Sequence, residues 1–198
     1  MVERTYALER LYEDQEPDLV ADTSPATLAW FAGPREDDSL SHAIDVRRGM
    51  GRTPVHNETL VLSWDEQALE RRGAGTLERA RRMRSKRTAD REHVTQLAAY
   101  GLALVGLSVW MPGRRAITFR EGLPPDILFD VTDGAVRGVE VAGRETGGFG
   151  ALRIVLEGSK AQPGGKRAQL IARSDVAEAH VSLWCVTPRV SMQIKVKP

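Results

Sequence analysis

The chain has 198 residues, with 28 Lys+Arg against 27 Asp+Glu and a single cysteine, Cys185. That length buries a core in one large domain or two small ones, and the ordinary charge content excludes wholesale disorder. One cysteine excludes a disulfide framework and any zinc site built on thiolates, so a metal falls to carboxylates, imidazoles and carbonyls.

The opening MVERTYALERLYEDQEPD is acidic and has no apolar run, so the expectation is a cytoplasmic protein without a secretory signal. The near-neutral total hides an asymmetry. Residues 1–70 carry 6 basic and 15 acidic side chains, residues 71–91 carry 9 and 2, and residues 92–198 carry 13 and 10. This predicts an acidic N-terminal elaboration or small subdomain over 1–75 and a separate domain over 76–198. The acidic third either docks on the basic segment or leaves it free for phosphates. A homodimer or a protein partner, met through the acidic third or through 79–91, is a further use of the same asymmetry.

In chain order, Thr5–Tyr12 and Ala26–Phe31 are apolar enough to pack once, and Thr59–Ser63 has strand composition. Gly33-Pro34, Gly49-Met50-Gly51 and Thr53-Pro54 break the N-terminal third into irregular pieces. From Thr76 a run free of Gly and Pro predicts one long helix or two in succession, exposed and basic at first. After Val94 it becomes apolar on nearly every face. Thr95, Gln96, Tyr100, two glycines and Ser108 interrupt that part, so it reads as a buried helix and not a membrane span.

Pro112-Gly113 stops the helix. Strand-like runs follow at 115–120, 126–132 and 136–142, the last two joined by the hairpin signal Asp133-Gly134. Helical stretches at 151–157 and 166–173 flank the Pro163-Gly-Gly turn. Residues 179–186 form a continuous apolar strand, and 190–197 alternate as an edge strand with one wet face. The order predicts an α/β/α layered domain around a mixed sheet.

Two acids stand out. Asp126 follows Pro124-Pro125 at the start of the second strand, and Glu140 interrupts the apolar run GVEVAG of the third. A buried, unpaired glutamate is costly, so Glu140 requires a metal, an arginine or a hydrogen-bond donor. A hairpin at Asp133-Gly134 brings the two acids near each other, and two adjacent carboxylates suit Mg²⁺ or Mn²⁺. The structural alternatives are a strand-entry acid at 126 and an ion pair of Glu140 with Arg137 or Arg144.

Pro125-Asp126, then Glu140-Val141-Ala142, within this element order, resembles the PD-(D/E)xK restriction-endonuclease-like superfamily. The resemblance covers roughly residues 76–187. It implies a nuclease: Asp126 and Glu140 as ligands of Mg²⁺ or Mn²⁺, the Val141 carbonyl as another, and a lysine that orients the attacking water. Ala142 occupies the lysine position, so the resemblance passes that role to Lys160 or Lys166, with Arg144 as a phosphate clamp. Arg82, Lys86 and Arg87 of the basic segment become candidates for holding a nucleic-acid backbone. Glu92 is a candidate third acid, and Gln96 and Tyr100 read as polar spots on a buried helix. The alternative is a domain that kept the fold and lost the chemistry, acting as a binding or scaffolding subunit. A small-molecule hydrolase on the 143–148 glycine loop is a weaker third reading, because no nucleophile accompanies it.

Overall fold

A computed structural model describes residues 2–31, 40–51, 53–85, 88–120, 122–130, 135–161 and 163–198, with the side chains of 53–55 excepted. Its centre is one eight-stranded mixed sheet. The strands are β1 (Val2–Ala7), β2 (Ser41–Met50), β3 (Thr53–Ser63), β4 (Ala116–Phe119), β5 (Ile127–Phe129), β6 (Val136–Thr146), β7 (Val176–Thr187) and β8 (Val190–Lys197). They lie in the order β1-β3-β2-β8-β7-β6-β5-β4. The helices are α1 (Leu11–Asp14), α2 (Pro17–Phe31), α3 (Glu66–Arg72), α4 (Thr76–Arg84), α5 (Arg91–Trp110), α6 (Gly148–Glu157) and α7 (Lys166–Ala172).

Both faces of the sheet are covered, as an α/β layered arrangement requires. On β6 and β7, Val139, Val141, Trp184 and Val186 face the core built on α5 and α2. Val181, Leu183 and Cys185 point the other way, into a second core closed by Leu152 and Leu156 of α6 and Leu170 of α7. The period of two along each strand thus serves two cores at once.

The basic-to-apolar run is two helices, α4 and α5. Asp90 ends the gap between them, its side chain accepting the His93 N–H at 2.8 Å, a helix N-cap. By length and composition α5 could cross a membrane, yet 67% of its apolar window is buried inside the protein. Part of the cover is α2, and the two helices meet at small residues. A Cβ on Gly101 would lie 2.3 Å from Thr27 Oγ1, so only glycine permits this approach. The Thr27 hydroxyl is itself turned back onto the Thr23 carbonyl at 3.1 Å.

The N-terminal third is less irregular than its turn residues suggest. β1 pairs in parallel with β3, β3 antiparallel with β2, and β2 in parallel with β8. Residues 190–197 are therefore an interior strand and not an edge, because β2 covers their outer side. Their alternation is real but divides two faces: Met192 and Ile194 are buried beside α6, while Gln193 and Lys195 face a cleft on the α5 side. The antiparallel pairing of β5 with β6 is present, and the Asp133-Gly134 turn lies outside the described residues. Acidic third and basic segment do touch, through Arg72 and Glu13 at 2.5 Å.

Candidate active site

β5 and β6 pair with Ile127 opposite Val139, which sets Asp126 beside Glu140. Local sequence makes this possible. Gly138 leaves room for Pro125, whose Cγ would lie 2.2 Å from a Cβ at that position. Arg173, just beyond α7, donates to the Pro124 carbonyl and fixes the loop that carries Asp126. Asp126 Oδ2 then accepts the Val141 N–H at 2.7 Å. In a strand the N–H and C=O of one residue point to the same side, so the Val141 carbonyl also faces the Asp126 side of β6.

Lys166 completes the group. Its Nζ donates to Glu140 Oε1 and lies 3.9 Å from Asp126 Oδ2. Glu140 faces the α6–α7 side of the sheet, and Lys166 is the first residue of α7, so the lysine reaches it from the helix layer. Gly165 permits the approach: a Cβ there would stand 2.3 Å from the Gly158 amide nitrogen. The position two residues after Glu140, on its own face, holds Ala142, which packs into the core beside α6.

The electrostatics are strained. Glu140 is 2% exposed, and its Oε2 is buried without a hydrogen-bond partner. Burial, reinforced by the charge of Asp126, pushes its carboxyl up to about 7 despite the opposing pull of Lys166. Burial also raises Asp126, against the Val141 N–H, Lys166 and a hydrogen bond from Tyr100. Two carboxylates, one ammonium and an orphaned buried oxygen are a donor set short of positive charge. Asp126, Glu140 Oε2 and the Val141 carbonyl suit a hard divalent ion, which takes oxygen ligands. Among the described residues no group of three or more His, Cys, Asp or Glu side chains is placed to hold a metal, so such an ion would need carbonyl or water ligands.

Of the expected residues, Asp126, Glu140 and Lys166 are brought together. Lys160 is not; it is exposed on the turn between α6 and α7. Arg144 shares Glu140's face of β6 but is exposed and about 13 Å further along the strand. Arg82 is exposed on α4, with Glu78 4.0 Å away, and Lys86 and Arg87 lie outside the described residues. Arg91 pairs with Glu145, tying the end of the basic segment to the last turn of the β6 strand. Glu92 is exposed on the first turn of α5. The 143–148 segment is not a free glycine loop: residues up to Thr146 extend β6, and Gly147 caps α6 with φ of 106°.

Tyr100 was the unexpected member. Its ring is buried against Phe119, with centroids 4.9 Å apart, while its hydroxyl reaches Asp126. The signal available in the sequence was its tyrosine hydroxyl on the mostly apolar stretch of α5, since a buried phenol needs a partner. No protein-family model, curated protein or solved structure matches the chain.

Proposed function

We propose that the chain is a metal-dependent phosphodiesterase acting on nucleic acid, with Asp126 and Glu140 as ligands of Mg²⁺ or Mn²⁺ and Lys166 as the water-orienting lysine. The observation that carries this reading is Lys166 beside both carboxylates, while the second oxygen of Glu140 is buried and unpartnered. It supports the restriction-endonuclease-like resemblance at the one position where the sequence departs from it. The lysine missing at Ala142 is supplied from α7.

A bound divalent ion would lower the pKa of a coordinated water and polarise the scissile phosphate. The chain's own groups do the rest. Lys166 holds the attacking water with one donor while pairing with Glu140. Tyr100 and the Val141 N–H favour the ionised form of Asp126 against its burial and fix its rotamer. The exposed arginines of α4 follow a phosphate backbone without reading bases, which suits activity that is broad in sequence. Without metal the Glu140 carboxyl sits at about 7, so a divalent ion competes there with a proton, and activity should rise through neutrality.

The test incubates the purified chain with plasmid DNA, single-stranded DNA and RNA in Mg²⁺ or Mn²⁺, beside Asp126→Asn and Glu140→Gln. Cleavage that needs metal and is lost in both variants supports the reading. Cleavage retained in either refutes the site. No cleavage of any substrate moves the protein to the second reading, a scaffold on the same fold, to which Ala142 is the pointer.

A further inference from the structure

A second site lies on the opposite face of the sheet from Glu140. The C-terminal half of α5 stands off from β2, β7 and β8 and leaves a cleft of about 490 Å³. That volume is typical of small-molecule sites. Its floor is Ala103, Gly106, Leu107 and Val139, and the Trp110 indole forms one wall. The glycine keeps it open: a Cβ at 106 would press at 3.3 Å on both Gln193 Oε1 and the Trp110 ring.

The polar lining holds Arg48, Arg114 and Lys195, with His56 and His180, around Glu178, the one lining carboxylate among the described residues. Glu178 is shared widely: His180 Nε2 lies at 3.0 Å, Arg114 at 3.4 Å, Lys195 at 3.6 Å and Arg137 at 3.7 Å, and Arg114 has Asp130 as a second and closer carboxylate at 2.6 Å. Arg48 is held from behind by Glu58 at 2.7 Å, which fixes its guanidinium beside Trp110, 5.6 Å above the ring. Glu58 also accepts from Arg4 at 2.7 Å and from the Trp110 indole N–H at 3.1 Å. The wall of the cleft is therefore pre-organised, and one carboxylate inside it faces several cations.

We propose that this cleft binds a small anion carrying a flat ring, of mononucleotide size, with the ring against Trp110 and the anionic group between Lys195 and Arg114. The rigid indole supplies contact area at low entropic cost; Lys195, only 3.6 Å from a carboxylate it shares with two arginines, supplies the charge-assisted hydrogen bond, with the Asp130-anchored Arg114 beside it. The site is independent of the carboxylate cluster: Val139 lines the cleft, and Glu140, its neighbour, points to the other side of β6.

The experiment uses the full chain with EDTA present and follows tryptophan fluorescence and thermal shift. The probes are AMP and dTMP, with adenosine and inorganic phosphate as the separate halves. Saturable binding of a nucleotide is expected, at least tenfold tighter than either half. Lys195→Met should weaken it about tenfold, Lys195→Arg should retain it, and Glu140→Gln should leave it unchanged. The melting temperature of the unliganded Lys195 variants should stay near that of the parent. The proposal is overturned by absent saturation with both nucleotides, by phosphate binding as well as AMP, or by loss of binding in Glu140→Gln instead of Lys195→Met. The last result would put the ligand in the carboxylate cluster.

Discussion

Replacing Glu140 with Gln should stabilise the protein, several times more at pH 8 than at pH 5. In the folded chain the Glu140 carboxyl sits at about 7 in place of the usual 4.5, because burial and the Asp126 charge oppose ionisation. The folded state therefore keeps a proton that the unfolded chain has lost between those two values. Stability is full below pH 4.5 and falls as pH rises through 7. The ionised side chain costs roughly 3 kcal/mol at pH 8 and about a quarter of that at pH 5. Gln is isosteric, still accepts from Lys166 and cannot ionise. For a chain of this size the gain corresponds to a rise on the order of 6–12 °C in Tm at pH 8. Thermal unfolding of both proteins in EDTA at pH 5 and pH 8 measures it. Adding Mn²⁺ at about 100 times its Kd should then stabilise the parent by roughly 2.7 kcal/mol and the variant not at all. A Glu140→Gln protein less stable than the parent at pH 8, or a difference that ignores pH, refutes the electrostatic account of the site.

Lys166→Met should abolish cleavage and lower Tm at pH 8, because Glu140 loses its charged hydrogen-bond donor; Lys160→Met should change neither, as gel-based cleavage and calorimetry will show. Tyr100→Phe removes a donor that favours ionised Asp126, so the acid limb of the pH–rate profile should move to higher pH while the fold persists by circular dichroism. Gly138→Ala sets a methyl group 2.2 Å from Pro125 Cγ, and the overpacking should cost about 1–3 kcal/mol in denaturant unfolding and weaken Mn²⁺ binding with it.

The layered α/β class, the α5 core helix and the strand pairs around Asp126 and Glu140 were legible because each depends on local pattern. Val94 to Trp110 has few polar residues to expose, and a charge between Val139 and Val141 is conspicuous in any register. What escaped depended on distant partners. β2 buries His42, Ile44 and Val46 on alternate positions, and the histidine in that series hides a period of two. Nothing in residues 190–197 says that β2 will add beside them; a strand lined on one side by a cleft has the same polar alternation as one lined by solvent. Lys166 could be named as a candidate but not preferred over Lys160, because only the tight Gly158–Gly165 contact decides which lysine reaches β6.

The place of β8 bears on how the chain reaches this state. β2 has β8 as its inner neighbour, with Asp45 opposite Val190, so pairing at the middle of the sheet waits on the last of the eight strands in chain order. Without β8, the sheet divides into a three-stranded set, β1–β3, and a four-stranded set, β4–β7, each with an open flank. Such a topology has a high contact order, which slows folding and lengthens the interval in which bare strand edges can meet those of other chains. Poor recovery of a fragment ending before Val190 is expected, since one strand joins two otherwise separate sets.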